Sequence, residues 1–349
     1  MPVSIASNNT TLFCPECAIS LNEEAGQVIC SQCKMAWDVI DGIPHFIRDF
    51  AYWGEISQQQ MQTVNRAARQ GNWKSALLDS PDPAVRSASQ MMLNLERANW
   101  HWLAGIRPEG RVLDLGAGTG TISHALGMYY REVIAVEPVL ERVEFMRQRF
   151  TQEGLSNIKV LRSSLWTLPF APASFDLVAM NGVLEWVPLG SDEDPREVQL
   201  QALRNAYHLL KPGGCLYVGI ENRTATGYFL GYPDPHCGLP WVTILPRPLA
   251  HWYARKKGAP GYRNYLYTSR GYRKLLHEAG FSRLELYVAV PSYNQPRFII
   301  PLEEDLFSYY SRSFDVAGPN RLRGAIRRVL SGLNLLQHMQ YSYVILARK

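Results

Sequence analysis

The most constraining stretch of this chain is a glycine-rich turn set between two short apolar runs. Arg111-Val-Leu-Asp-Leu115 reads as a buried strand, Gly116-Ala-Gly-Thr-Gly120 as a turn, and Thr121–Tyr130 as a helix. Val133-Ile-Ala-Val136 is the next strand, ending at Glu137. Glycines after a first strand let backbone amides approach a ligand at a helix N-terminus. An acidic residue after the second strand can accept both hydroxyls of a ribose, and Glu137 holds that place, seventeen residues after Gly120. A dinucleotide fold needs G-x-G-x-x-G, because pyrophosphate sits on the helix. Here the spacing is Gly116-x-Gly118-x-Gly120, preceded by Asp114. A carboxylate there disfavours pyrophosphate and favours a ligand carrying a cation, such as an amino group or a sulfonium.

The pattern continues along the chain. Val139–Glu153 reads as a charged helix, Ile158–Leu161 and Phe175–Met180 as strands, Arg196–Leu210 as a helix and Cys215–Ile220 as a fifth strand. Alternating strands and helices define an α/β fold with a parallel sheet wound on both faces.

Ahead of it stand Cys14, Cys17, Cys30 and Cys33, as C-P-E-C and C-S-Q-C with twelve residues between the pairs. Each Cys-x-x-Cys turn brings two thiolates to one side of a metal, and two turns complete a tetrahedral site. Four thiolates leave no open position, so the expected ion is a structural Zn2+ whose binding supplies folding energy to a segment with little core. Cys215, beside Leu216-Tyr217-Val218, reads as a buried strand thiol. The segment 12–48, completed by Trp37–Pro44, resembles the small zinc-ribbon family best known as an activator subunit of methyltransferases.

Expected boundaries follow. Residues 10–48 form the ribbon. Residues 49–105 are a polar linker, with a short helix, and a helix over Ala84–Ala104 that packs on the next domain. Its apolar face is Val85, Ala88, Met92, Leu95 and Trp102, and Asp82-Pro83 reads as N-cap and first helical residue. Residues 106–349 are the α/β domain, with insertions at 224–267 and 290–339.

The run Val112–Gly120 resembles the first motif of class I S-adenosylmethionine (SAM)-dependent methyltransferases. Val133-Ile-Ala-Val-Glu-Pro138 is similar to their ribose motif, Leu168-Pro-Phe170 with Phe175-Asp-Leu-Val178 to the fourth-strand motif, and Leu209–Gly214 to the turn before strand five. Gly271–Gly280 with Phe281–Tyr287 resembles the last helix and strand six, and Gln340–Arg348 the antiparallel strand seven. The resemblance implies a seven-stranded Rossmann-like sheet and SAM as cofactor. Asp114, Gly116, Ala117, Gly118, Gly120, Glu137 and Pro138 are then the cofactor-binding set, with Ser164 and Leu165 at the adenine and Asn181 at the methionine end. One position departs from the family: the acidic residue that often meets the adenine amino group is replaced by Ser164.

Methyl transfer is a direct displacement, so the acceptor must be read from the additions to the core. Residues 224–267 hold nine aromatics in 44 positions, against 11% for the chain, and aromatic faces with polar tips suit sugars or other flat polar groups. The bland reading is a small satellite core. Asp234 and His236 are the general-base candidates, since histidine titrates near working pH and a carboxylate can orient it, although i, i+2 spacing does not guarantee contact. Glu221, directly after strand five, is a further catalytic candidate, and Asn222 and Arg223 are candidates to orient the acceptor. Glu185-Trp186 reads as packing at a helix start. The stretch Tyr232–Trp241, with Leu245–Ala250, resembles a segment of bacterial methyltransferases linked to surface-polysaccharide assembly, which implies O-methylation of a glycan or nucleotide-linked sugar.

Charge is uneven: residues 247–349 carry a net +11 and residues 1–246 a net −6. A basic third faces phosphate, nucleic acid, an anionic acceptor or an acidic membrane surface, or is simply solvated. The helical stretch Arg321–Leu336 carries Arg323, Arg327 and Arg328 off its apolar face. No run of 18 apolar residues exists, and the N-terminus lacks a charged stretch followed by a long apolar one, so the expected location is cytoplasmic, with peripheral contact at the inner membrane face. Two other readings stay open. An RNA methyltransferase fits the ribbon and the basic third, but no aromatic–basic platform for RNA is evident. A non-catalytic partner subunit fits the fold, but the intact Asp114–Glu137 set argues against it.

Overall fold

The computed structural model describes residues 11–302, 306–307, 309–310, 330 and 335–349. The chain divides into two compact units, residues 1–179 with 208–215, and residues 180–207 with 216–349.

In the first unit, the ribbon is built from β1 (Asn22–Glu24), β2 (Gln27–Ile29), β3 (Ala36–Ile40) and β4 (Ile43–Pro44), paired in that order. Three helices follow: α1 (Gln58–Gln70), α2 (Trp73–Leu78) and α3 (Pro83–Leu93). Ser57 starts α1 with a capping box to Gln60, and the Asn72 side chain caps α2. Met61, Val64, Ala68, Trp73, Leu77, Val85 and Met92 pack on Phe145 in one apolar cluster. A stretch expected to be mainly linker is therefore a helical layer.

The helix expected over Ala84–Ala104 begins as predicted, with the Asp82 side chain accepting from the Ala84 amide and Pro83 in the first turn. It stops at Leu93. Asn94 caps a 3-10 turn over Leu95–Ala98, and α4 (His101–Ala104) ends on left-handed Gly105. The break shifts the helical phase, so Trp102 is 60% exposed rather than on the buried face.

The sheet then begins with β5 (Arg111–Leu115), α5 (Thr121–Gly127), β6 (Glu132–Glu137), α6 (Leu140–Gln152) and β7 (Ile158–Arg162). β5, β6 and β7 pair in parallel, with Asp114 opposite Ala135 and Leu115 opposite Val136. Val112, Leu113 and Val133–Val136 are buried, as strands covered on both faces must be. β8 (Phe175–Asn181), α7 (Pro195–Leu209) and β9 (Leu210–Glu221) complete the alternation. In the first unit the strand order is β9-β8-β5-β6-β7.

In the second unit come α8 (Thr226–Phe229), α9 (Arg247–Lys256), α10 (Ser269–Glu278), β10 (Arg283–Val290), β11 (Phe298–Pro301) and β12 (Ser342–Arg348). The order there is β11-β10-β12-β9-β8, with β10 antiparallel to both β11 and β12. This is a Rossmann-like sheet, mainly parallel with the antiparallel strand expected near one edge. It gains an eighth strand, β11, from the insertion after the sixth. The expected helix Arg321–Leu336 lies almost wholly outside the described residues. Among those described, no helix is long and apolar enough to cross a membrane.

Candidate active site

The glycine turn lies in the first unit. Gly116 and Ala117 both donate their amides to the Val136 carbonyl, at 2.9 and 3.0 Å, which folds the turn back over β6. Gly120 ends it in the left-handed region, at φ 78°. A side chain at Gly120 would also meet Phe150 at 2.6 Å and Met146 at 2.8 Å, so α6 packs here only against glycine. Glu137 is buried at the end of β6. Its Oε2 accepts the Gly118 amide at 2.8 Å and its Oε1 the Val139 amide at 3.1 Å. Burial raises the Glu137 carboxyl, and buried Arg142, itself paired with Glu55 at 2.6 Å, draws it back. A carboxylate offers about four acceptor positions, so two remain for a ribose.

Asp114 faces α5 and accepts the Ser123 hydroxyl at 2.6 Å. Burial pushes its carboxyl up to about 7 against that hydrogen bond. The Pro138 carbonyl accepts Arg162 Nε at 3.2 Å. Ser164 Oγ lies 3.0 Å from Thr167 Oγ1 and accepts the Trp166 amide at 3.2 Å, so this hydroxyl already organises the turn that carries Leu165.

The four ribbon cysteines converge, their sulfurs within 4.8 Å of one another. Cys14 and Cys33 Sγ are 3.7 Å apart, and a tetrahedron of zinc–sulfur bonds near 2.3 Å has an edge of about 3.8 Å. The Cys17 and Cys33 amides donate to Cys14 and Cys30 Sγ, each at 3.4 Å. The donor set fits zinc.

The second unit holds the other candidates. The Asp234–His236 contact, which the spacing left open, is made: Nδ1 of His236 lies 3.0 Å from Asp234 Oδ1. Asp234 is fixed by the amides of His236 and Cys237, at 2.8 and 3.2 Å, and by the Thr243 hydroxyl at 2.8 Å. The other ring nitrogen, Nε2, faces Glu185 Oε1 and Glu221 Oε2, each at 3.7 Å. Tyr293 donates its hydroxyl to Glu221 Oε1 at 3.0 Å. Gly182, in the left-handed turn after β8, leaves room for that phenol: a Cβ there would sit 2.7 Å from it. Asn181 accepts the Tyr217 hydroxyl at 2.7 Å.

Two expectations need correction. Histidine was expected to titrate near working pH; burial lowers it, but Asp234, Glu185 and Glu221 together outweigh burial and hold His236 up at about 10. Burial, then Glu185, pushes Glu221 up to about 7. Asn222 and Arg223 were expected to orient an acceptor. Asn222 donates to the His338 and Gln340 carbonyls, and Arg223 to those of Thr243 and Leu245, so both hold backbone. Sequence reading also passed over Glu185, taken as helix-start packing, and Tyr293. A carboxylate in an otherwise apolar run, Val183-Leu-Glu-Trp-Val187, was the available signal for Glu185. The satellite core in the insertion exists: Val242, Ala250, Ala254 and Tyr262 form it, while Phe229, Tyr232, Trp241 and Trp252 are exposed.

Beyond this geometry, part of the chain is similar to known proteins. The family model described as a methyltransferase domain matches residues 113–218. Among individual proteins, the chain is 34% identical over 120 residues to the ubiquinone biosynthesis O-methyltransferase of Xylella fastidiosa (strain M23), covering 34% of this chain and 45% of that protein. It is 32% identical over 146 residues to the protein of the same name from Xanthomonas campestris pv. campestris (strain B100), covering 42% and 56%. The chain thus spans about half the length of these relatives. A SAM-dependent methyltransferase structure from Aquifex aeolicus aligns with a TM-score of 0.42 at 15% identity, over 79% of this chain and 97% of that one.

Proposed function

We propose that this chain is a SAM-dependent methyltransferase that methylates a hydroxyl oxygen of a small polar acceptor. The observation that carries the reading is the glycine turn tied to a buried acidic residue, Gly118 to Glu137 at 2.8 Å, inside the stretch that matches a methyltransferase domain. SAM, when bound, supplies a methyl group already activated on a sulfonium. Glu137 accepts the ribose hydroxyls, the turn from Gly116 to Gly120 offers its backbone, Ser164 and Leu165 meet the adenine, and Asn181 the methionine end. Asp114, held by the Ser123 hydroxyl at 2.6 Å, fixes the start of α5 beside the turn. The four cysteines hold a structural Zn2+ in the ribbon.

In the transfer, the acceptor oxygen forms its new O–C bond as the S–C bond breaks. The hydroxyl proton passes to Glu221, beside the His236 imidazole that Asp234 positions, and the products are a methyl ether and S-adenosylhomocysteine. The relatives' names support O-methylation in ubiquinone biosynthesis; the resemblance of residues 232–250 supports a sugar. A ring bearing hydroxyls suits the aromatic insertion.

The test is incubation with methyl-labelled SAM and pools of hydroxylated rings and sugars, read by mass spectrometry. Label should appear as a methyl ether, and Glu137→Ala should weaken SAM binding in calorimetry by about tenfold or more, roughly 1.4 kcal/mol. A wild-type chain that binds no SAM, or that labels RNA instead, refutes the proposal.

A further inference from the structure

We infer that Glu185, Glu221 and His236 form a site for one divalent metal ion, whose open positions take hydroxyl oxygens of the acceptor. The binding of the ion stands on the geometry alone; the acceptor's place on it rests on the function proposed above.

The first observation is convergence. One ligand atom from each of the three residues lies within 4.8 Å of the others. The imidazole Nε2 faces a carboxylate oxygen of each glutamate at 3.7 Å. Bonds of about 2.0–2.2 Å to zinc-like ions put neighbouring ligand atoms about 3.0–3.6 Å apart, so each carboxylate oxygen needs to close on Nε2 by only a few tenths of an ångström.

The second observation is independent and points to a missing partner. Glu185 is 0% exposed, yet neither of its carboxylate oxygens has a hydrogen-bond partner among the described residues, and Glu221 Oε2 has none either. Buried native polar groups are almost always satisfied. A proton on Nε2 does not satisfy these, because 3.7 Å is too long for a hydrogen bond to either glutamate. An ion between them would bond all three atoms at once. It would also offset the charge of Asp234, Glu185 and Glu221, buried together around one imidazole.

The surroundings are those of a metal site. Asp234 holds Nδ1 of His236, which aims Nε2 at the glutamates, a carboxylate–histidine–metal arrangement. Tyr293 occupies Glu221 Oε1 and leaves Oε2 free. The Trp186 ring meets the imidazole edge-on, its centre 4.9 Å away, and restricts its rotation. Three protein ligands leave positions open, as in catalytic rather than structural sites. Coordination there makes an acceptor hydroxyl more acidic, so that its proton is released to solvent and Glu221 and His236 serve as ligands in place of a proton acceptor. Imidazole and carboxylate suit Mn2+, Fe2+ or Zn2+, whereas the thiolates of the ribbon select Zn2+. Mn2+ therefore probes this site and not the other.

The experiment uses the full chain with zinc left in the ribbon. Added Mn2+ should bind at one site by paramagnetic resonance, and spin-echo modulation should show one imidazole nitrogen coupled to it. Glu185→Gln should weaken Mn2+ binding by about tenfold or more, as should Asp234→Asn. Absence of bound Mn2+ and of imidazole coupling in the wild type overturns the inference, as does unchanged affinity in Glu185→Gln. If Glu185→Gln does not fold, the imidazole coupling in the wild type decides. SAM binding and methyl transfer are measured on the same preparation. A chain that binds Mn2+ but transfers no methyl group keeps the metal site and loses the proposed function. A chain whose methyl transfer is unchanged by removing and restoring Mn2+ keeps the function and loses the acceptor's place on the ion.

Discussion

At the scale of single residues, the same chemical group was read well in one place and missed in another, for a physical reason. Asp114 stands two residues before the glycine turn and Glu137 seventeen after it, and that spacing alone marks them. Glu185 and Tyr293 gain meaning only from Glu221 and His236, brought close by long-range pairing that no local pattern encodes. Even for Asp114, sequence could not say how its side chain is housed. It is 1% exposed with the Ser123 hydroxyl as its partner, and burial pushes it from 3.8 to about 7. Between those values the unfolded chain has ionised this carboxyl, while the folded chain keeps it protonated. The folded state then holds the extra proton, so this group's contribution is full below pH 3.8 and is lost as pH rises through about 7. Urea unfolding of wild type and Asp114→Asn at about pH 4.5 and 7.5 checks this. The wild type should lose more stability than the variant over that interval; parallel losses would show that Asp114 does not titrate there.

At the scale of elements, strands and helices of the sheet were legible because buried parallel strands are short apolar runs between glycine-rich turns. The layer over 49–104 was less so. Its helices are capped by single polar residues in a Gln-rich stretch, and one asparagine, Asn94, breaks a periodic run in two. The ribbon was legible as a metal motif but not in what it covers. His45 bridges Arg162 of β7 in parallel register, the Phe46 amide donates to the Arg162 carbonyl at 2.8 Å, and the Phe13 amide donates to the Pro169 carbonyl at 2.9 Å. β7 is an edge strand, and an uncovered edge exposes unpaired backbone groups. The ribbon thus shields that edge, which gives its metal a purpose beyond its own fold. Cys33→Ser should speed amide hydrogen exchange in Ile158–Arg162 and raise the tendency to aggregate. Unchanged exchange there in a variant that has lost its zinc would separate the ribbon from the edge.

At the scale of the molecule, what sequence reading could not supply is how distant segments are fastened together. The uneven charge, net +11 beyond residue 246, was visible, and all but a net +1 of it falls on described residues. Arg149 shows the fastening within the first unit. It is 0% exposed on α6, and its burial lowers it to about 9. Its guanidinium donates to the Met92 carbonyl at 2.9 Å, the Thr119 carbonyl at 3.2 Å and His124 Nδ1 at 3.0 Å. It also lies 4.4 Å from the centre of the Trp73 ring. One side chain thus joins the end of α3, the glycine turn, α5 and α2. In a stretch read only as a charged helix, nothing in the sequence set Arg149 apart. Arg149→Met keeps much of the volume but leaves buried carbonyls without their donor, which should cost about 3 kcal/mol. The loss should not be uniform. Because Thr119 belongs to the turn, SAM affinity should fall with stability, and exchange protection should drop in α2, α3 and Gly116–Gly120 together. Calorimetry and hydrogen exchange on the same variant test the link. A protein that is destabilised but binds SAM with wild-type affinity would show that the helical layer supports the fold without holding the turn.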